Sequence, residues 1–406
     1  MALSYLRQFA GYSINFNAVL KLVGLSARLD DEAVLVPTTS AKSNKRIANV
    51  MIMAAGTGGH IFPALAVAEK LRAQGVTVHW LATPAGMEHR LVAPSGIPLY
   101  PIDIQGLRGN GIKRLLAAPF KILAATIAAM RLMKALQIDA VVGFGGYVAG
   151  PGGLAARLLG IKLVIHEQNA IAGMTNRQLA RIATKVLQAF PQAFAPAPKV
   201  RTTGNPVRTD ILNLPSPKER YANRVGALQV LVIGGSLGAQ ALNERVPPAL
   251  ALLAAQGQAI HVRHQCGQKL VEETAQRYES LIKDQPALSY EVLPFIDDMA
   301  HAYAHADFII CRAGALTVSE IAAVGLPAVF VPLPHAVDDH QTANARYLSD
   351  TGAALLAPQA GLTPDSLAAQ LRPLLNRATL LEMALLAQQQ AKPEATADVV
   401  DAVVSV

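Results

Sequence analysis

The chain reads as an α/β protein of two Rossmann-like, doubly wound domains facing a shared cleft. Three observations carry that reading. Short apolar runs alternate with helical segments from residue 48 to about residue 388. Each half opens alike, with an apolar run, a glycine-rich turn and a helix: residues 48–55 lead into Gly56-Thr-Gly-Gly-His60, and residues 228–233 into Gly234-Gly-Ser-Leu-Gly-Ala239. At 406 residues the chain is also long for a single domain. The boundaries expected are a flexible N-terminal extension over 1–47, a first domain over 48–207 and a second over 208–388. The C-terminal segment 389–406, with a helix near 394–405, is expected to return to the first domain.

Composition bounds the function. Hydrophobic residues make up 52% and aromatics 5%, the small-aliphatic bias of parallel strands covered on both faces. Two cysteines exclude a disulfide framework and fit a reducing compartment. Residues 48–207 carry 16 Lys+Arg against 5 Asp+Glu, whereas residues 208–388 carry 13 against 17. A basic half joined to a slightly acidic one suits an anionic surface or substrate meeting the first half. The basic residues are not interleaved with aromatics and no nucleic-acid motif is present, so nucleic acid is not the expected partner. No stretch reaches the ~18–20 apolar residues of a membrane span.

Along the first half, residues 48–55 form a strand and a helix is expected over 63–73, with Pro63 near its first position. Gly56-Thr57-Gly58-Gly59-His60 lacks the third glycine and downstream acid of a dinucleotide fingerprint. His60 stands at the carboxyl end of the strand, as a helix cap or as a base facing the cleft. Strands follow over 76–81 and 99–104, a loop over 106–111, and a long helix over 112–136. Between Gly106 and Lys134 there are six basic residues and no acidic one. Leu115, Leu116, Phe120 and Leu123 can share a face beside Lys113, Arg114 and Lys121. That stripe is either an ordinary core face or an apolar patch for an anionic bilayer. A strand over 140–143, a second glycine turn and a helix over 154–159 come next. A strand over 162–166 then places Glu167-Gln-Asn169 at its carboxyl end. The turn suits either a phosphate-bearing ligand or tight packing.

The crossing between domains is expected at 203–208, followed by a polar segment over 215–226. In the second half, residues 307–344 are the most informative stretch. A short strand ends in Arg312-Ala-Gly-Ala, a helix runs over 316–324, and Gly325 and Pro327 stop it. Free amides at such a helix start suit a diphosphate, and Glu320, one turn in, suits the hydroxyls of a ribose. Asp338-Asp339-His340-Gln341 and Asn344 are hydroxyl-binding types. No metal motif is present, and Asp297-Asp298 reads as a helix start.

Taken together, AGTGGHIFPALAVA, GLRGNGIK, GFGGYVAGPGGLAA, HEQNAIAGMTN, GNPVRTD, GGSLGAQALN, FIDDMAHAYAHAD, CRAGALTVSEIAAVGLPA and DDHQTANA, in that order over about residues 50–345, make the chain resemble the MurG family of bacterial glycosyltransferases. The resemblance does not extend to residues 1–47, and Ala55 stands where many of the family carry glycine. It implies a GT-B fold and inverting, metal-independent transfer of N-acetylglucosamine. The donor is UDP-N-acetylglucosamine and the acceptor an undecaprenyl-diphosphate-linked N-acetylmuramyl-pentapeptide, in peptidoglycan synthesis. The implied catalytic residues are His60, as general base for the muramyl 4-hydroxyl, and Glu320, on the ribose. Thr57, Gly58, Gly59 and Asn169 would meet the donor sugar side, Arg208 and Ser236 the diphosphate, and Ile296 the uracil. Ala315, Leu316, Thr317, Val318 and Ser319 would lie at the helix end, with Gln341 and Asn344 on sugar hydroxyls. Gly145, Gly146, Tyr147, Arg108 and Asn176 would face the acceptor. The implied partners are the lipid-linked acceptor, the cytoplasmic face of the inner membrane as a peripheral site, and the cell-wall synthesis and division machinery. Two alternatives stand beside this reading: an enzyme of the same architecture such as a UDP-N-acetylglucosamine 2-epimerase, and a non-catalytic binder of UDP-sugars or lipid-linked precursors.

Overall fold

The structure, a computed structural model, describes residues 46–104, 111–235, 237–283, 285–334 and 339–406, and over 111–117 the backbone only. The 1–47 extension therefore lies almost wholly outside the described residues. Two parallel sheets organise the chain. The first contains β1 (Asn49–Ala54), β2 (Thr77–Ala82), β3 (Leu99–Pro101), β4 (Ala140–Gly145), β5 (Lys162–Glu167), β6 (Lys185–Gln188) and β7 (Val200–Thr202). The second contains β8 (Leu228–Ile233), β9 (Ile260–Gln265), β10 (Leu288–Leu293), β11 (Phe308–Cys311), β12 (Ala328–Phe330) and β13 (Ala354–Leu356). Their orders are β3-β2-β1-β4-β5-β6-β7 and β10-β9-β8-β11-β12-β13. Each sheet reverses direction beside its first strand, between β1 and β4 and between β8 and β11. Open α/β sheets leave a crevice for ligands at such a point.

Burial explains the strand composition. β4 is buried throughout and β11 likewise, so both read as unbroken apolar runs. Alternate side chains of β1 serve different cores. Val50, Ile52 and Ala54 pack with Ile61, Ala64 and Val67 of the Gly58–Ala73 helix. Met51 and Met53 pack on the opposite face with Ala125, Ala129 and Met133 of the Gly111–Ala135 helix. The C-terminal helix, Ala395–Val404, joins the first of these cores through Val399, Val400 and Val403. Lys185 Nζ donates to Ala402 O (3.1 Å) and Ser405 O (3.2 Å) at its C-terminal end, where carbonyls lack helical partners.

The two passages between domains run side by side. Gly204 has φ +84°, and a Cβ there would lie 2.3 Å from Lys392 Cβ. Nearby, Asn205 Nδ2 donates to Gln168 O on the first half and to Ser319 Oγ on the second.

Several boundaries differ from the sequence expectation. The first helix begins at Gly58, not 63, with Thr57 as N-cap. Pro63 removes only the one bond its N–H would make one turn back. The helix expected over 154–159 spans Ala149–Leu158, with Pro151 in the first turn, where a missing N–H leaves nothing unpaired. Its glycines are packing residues: a Cβ on Gly152 would lie 2.3 Å from Met53 Sδ, and one on Gly153 2.6 Å from Leu179 Cδ2. β3 ends at Pro101 rather than 104. The polar segment 215–226 contains a helix, Pro217–Ala222, nucleated by a capping box in which Ser216 and Glu219 satisfy each other's backbone amides.

Candidate active site

The turns after β1 and β4 meet at the crevice. Gly146 has φ +81° and lies so close to the β1 turn that a Cβ would stand 2.2 Å from Ala55 O. Only glycine fits there. Beside it, Gly145 (φ +108°) faces the His60 ring, whose Cδ2 and Nε2 would be 3.0 Å from a Cβ. His60 lies on the first helical turn. Its Nδ1 is 3.2 Å from Ala55 O, an acceptor only, so Nδ1 carries the proton and Nε2 keeps its lone pair. Burial lowers the His60 pKa below the ordinary 6.5, opposed in part by the charge on Glu167 and by the Ala55 bond. The ring is thus neutral at neutral pH, with a basic nitrogen beside the second glycine turn.

Glu167, at the end of β5, is buried and anchors the next loop. Its Oε1 accepts from Asn169 N (3.0 Å) and Asn169 Nδ2 (3.3 Å), and its Oε2 from Gly173 N (3.0 Å) and Asn176 Nδ2 (2.9 Å). Asn176, expected to face an acceptor, is 4% exposed and gives its amide to Glu167 and to His166 O. Its place is structural, because the first turn of its helix packs against the β5 terminus.

On the facing half, the Ala315–Val324 helix starts from Gly314 as N-cap. The N–H groups of Ala315, Leu316 and Thr317 have no partner within the helix, whereas Val318 N donates to Gly314 O (3.0 Å). Two expectations are corrected here. Val318 is fully buried in the core with Ile309 and Phe330, so neither its side chain nor its amide reaches a ligand. Ser319 Oγ bonds Ala315 O and accepts from Asn205, which turns it to the domain crossing.

Glu320 is largely buried. Its Oε2 accepts from Tyr303 Oη (2.9 Å), and Arg208 approaches Oε1 at 3.8 Å. Burial raises its pKa, while Arg208 and the Tyr303 hydrogen bond oppose the rise. The Arg208 guanidinium also lies 5.9 Å from the Phe62 ring centroid, which links the acidic group of one half to the His60 helix of the other.

Gln341 Oε1 accepts from Leu333 N (2.9 Å) and fixes the loop after β12. Ile296 is 6% exposed. Asn344, expected on sugar hydroxyls, is fully buried and fully engaged with Asn169, Ala170 and Ala313. Thr57 and Gly59 are exposed, Gly58 is half-buried, and Tyr147 is 54% exposed at the crevice rim. Arg108 and Ser236 lie outside the described residues, as do the side chains of Lys113, Arg114, Leu115 and Leu116. Along the Gly111–Ala135 helix, Phe120 (76%), Leu123 (48%) and Ile127 (41%) are exposed. They alternate with the buried Ala125, Ala129 and Met133, and the exposed Lys121, Arg131 and Lys134 lie around them. Sequence reasoning missed Ile127, Phe62 and Tyr303. The i, i+3, i+7 spacing of 120, 123 and 127 was the available signal for the first. Among the described residues no helix is long and apolar enough to cross a membrane, and no three His, Cys, Asp or Glu side chains are grouped to hold a metal.

Models of the glycosyltransferase family 28 N-terminal and C-terminal domains match residues 50–188 and 229–399. A relative from Acinetobacter baylyi, named UDP-N-acetylglucosamine–N-acetylmuramyl-(pentapeptide) pyrophosphoryl-undecaprenol N-acetylglucosamine transferase, is 62% identical over 357 residues, 87% of this chain and 96% of the relative. One of the same name from Aeromonas hydrophila is 53% identical over 87% of this chain and 95% of its own length. The crystal structure of Acinetobacter baumannii MurG superposes with a TM-score of 0.78 at 57% identity, covering 88% of this chain and all of that one. The glycosyltransferase SnogD from Streptomyces nogalater, 20% identical with a TM-score of 0.55 over 88% and 99% of the two chains, shares the fold.

The Tyr303–Glu320 contact makes a direct prediction. Tyr303→Phe removes a donor to the carboxylate, so the Glu320 titration followed by carboxyl carbon NMR moves further up. An unmoved midpoint would contradict the assigned contact.

Proposed function

The chain belongs to glycosyltransferase family 28, and on that premise we propose that it transfers N-acetylglucosamine from UDP-N-acetylglucosamine to the 4-hydroxyl of an undecaprenyl-diphosphate-linked N-acetylmuramyl-pentapeptide. The observation that carries this reading is the neutral His60, with Nε2 beside Gly145, on the half of the crevice opposite Arg208 and Glu320.

The donor diphosphate rests on the free amides of Ala315, Leu316 and Thr317, with Arg208 as its cationic partner, and Glu320 accepts the ribose hydroxyls. Such amides gain strength as charge grows on the departing diphosphate. His60 Nε2 takes the proton of the acceptor 4-hydroxyl while that oxygen bonds to the anomeric carbon. The bond from that carbon to the diphosphate oxygen breaks on the opposite face, UDP leaves with the electron pair, and the new linkage is β. The turn at Gly145, Gly146 and Tyr147 receives the acceptor diphosphate next to the base. This division of labour does not call on a metal ion. The exposed Phe120, Leu123 and Ile127 with Lys121, Arg131 and Lys134 seat the first half on the anionic cytoplasmic face of the inner membrane, where a lipid-linked acceptor resides.

Incubation with donor and acceptor is expected to release UDP only when the acceptor is present and to yield a β-linked disaccharide. His60→Ala is expected to lower kcat by about 10²–10⁴-fold while donor affinity stays near its native value. UDP release without acceptor would favour an epimerase-type enzyme, and a His60→Ala variant with most of its kcat would remove the base assignment. Phe120→Glu combined with Leu123→Glu is expected to weaken binding to anionic vesicles about tenfold or more and to leave UDP affinity unchanged. Undiminished vesicle binding would remove the patch from the membrane contact.

A further inference from the structure

The Met299–His305 helix turns two faces in different directions. Ala302 and Tyr303 are buried, and Tyr303 reaches Glu320. His301 and His305 are both exposed. Four positions apart, they lie one turn from each other along a single face. Their ring centroids are 4.0 Å apart, with the planes tilted by 32°. His305 Nδ1 is 2.8 Å from His301 O. A carbonyl only accepts, so Nδ1 carries the proton and His305 Nε2 keeps a lone pair. The His301 ring has no hydrogen-bond partner among the described residues. Its backbone is held on both sides, the N–H by Asp298 Oδ1 (2.8 Å) and the carbonyl by His305.

We propose that His301 and His305 form a chelating site for a divalent transition-metal ion of the Zn²⁺ class, bound through one ring nitrogen of each and completed by water. Two histidines at i and i+4 on one helix face can bring both imidazoles to one ion. A ligating histidine usually donates its other ring N–H to a carbonyl or carboxylate, which fixes the ring and the free nitrogen. His305 makes that bond to His301 O. The dipole at a helix C-terminus explains a histidine at 305, but not a second ring set against it from 301. Imidazole nitrogens favour Zn²⁺, Ni²⁺ and Cu²⁺ over Mg²⁺ and Ca²⁺, hard cations that take oxygen ligands. Among the described residues no third His, Cys, Asp or Glu side chain joins the pair, so the site is open and its ion exchangeable. The site lies on the outer side of the helix that delivers Tyr303 to Glu320. It takes no part in the transfer step, and the proposal stands independently of the transferase reading.

The test is calorimetric titration of the full chain with zinc chloride. Each variant is compared with the native chain, because histidines elsewhere in the sequence can also take zinc. The native chain is expected to bind a Zn²⁺ ion that His301→Ala and His305→Ala each weaken by about tenfold or more, since either change turns a chelate into a single ligand. The double variant is expected to match either single one over the same zinc range, and excess Mg²⁺ to leave the native binding unchanged. UDP affinity without zinc is expected to stay native in both single variants, as the replaced rings are exposed. Zinc binding that survives either single substitution would make the histidines independent ligands or none, and overturns the proposal. Displacement of zinc by excess Mg²⁺ would also overturn it. If an alanine variant loses UDP along with zinc, the Tyr303 helix has been disturbed and His305→Gln decides. Its amide can reach His301 O, but it has no imidazole lone pair to offer a metal. It is expected to keep UDP and lose zinc, and native zinc affinity in His305→Gln would overturn the proposal.

Discussion

The close approach of Gly146 to the Ala55 backbone is the constraint on which the rest of the site depends. Any side chain at Gly146 would meet Ala55 O at 2.2 Å, and the same Ala55 carbonyl holds the His60 ring through Nδ1. One backbone group thus sets the spacing of the β1 and β4 turns and the tautomer of the histidine between them. The free Nε2 follows from geometry, and the lowered pKa follows from burial of the ring. The sheet order makes the meeting possible, because β1 and β4 are neighbours at the reversal point although roughly ninety residues of chain separate their first residues.

A second constraint ties the halves together with directional polar contacts, beside an apolar seam in which Phe190 of the first half meets Tyr347 of the second edge-on at 4.9 Å. Asn205, Asn344 and the Arg208–Phe62 pair cross the boundary. Beside them, His166 Nε2 is 2.9 Å from Gly204 O, and burial pushes its pKa down to about 4, so it stays neutral and holds its partners as a fixed dipole. Directional bonds define angles that an apolar interface of similar size leaves loose. The transfer proposed above needs its base and its diphosphate-binding amides in register across the crevice, and the contacts of this boundary hold the two halves in that register.

The architecture was legible in the sequence because its signals are local: apolar runs of strand length, glycine turns behind the first strand of each half, and Gly325 ending a helix, which the structure places in the left-handed region at φ +65°. The starts of the two helices behind the first-half glycine turns were not legible, whereas those at Gly111 and Ala315 were read to within one residue. Gly58, Gly59, Pro151 and Gly152 count as breakers by propensity, but tertiary contact overrides propensity where a Cβ on Gly152 would collide with Met53. Among site residues, what the sequence could not reveal was which polar side chains face a ligand and which face a neighbour. Asn344 and Ala170 are 174 positions apart in sequence, and Asn176 meets Glu167 only because the loop between them folds back. Tyr303 had no signal of its own. Its role exists only because its helix delivers a hydroxyl to Glu320.

The proposed transfer depends most on His60 being neutral, with its proton on Nδ1 and its lone pair on Nε2. Nitrogen-15 NMR of the histidine rings, with the His60 signals assigned by their loss in His60→Gln, measures this directly. The expected result is a protonated Nδ1 and a bare Nε2 at neutral pH, with a titration midpoint below the ordinary 6.5. A ring protonated on Nε2 at neutral pH, or a midpoint above 6.5, would contradict it.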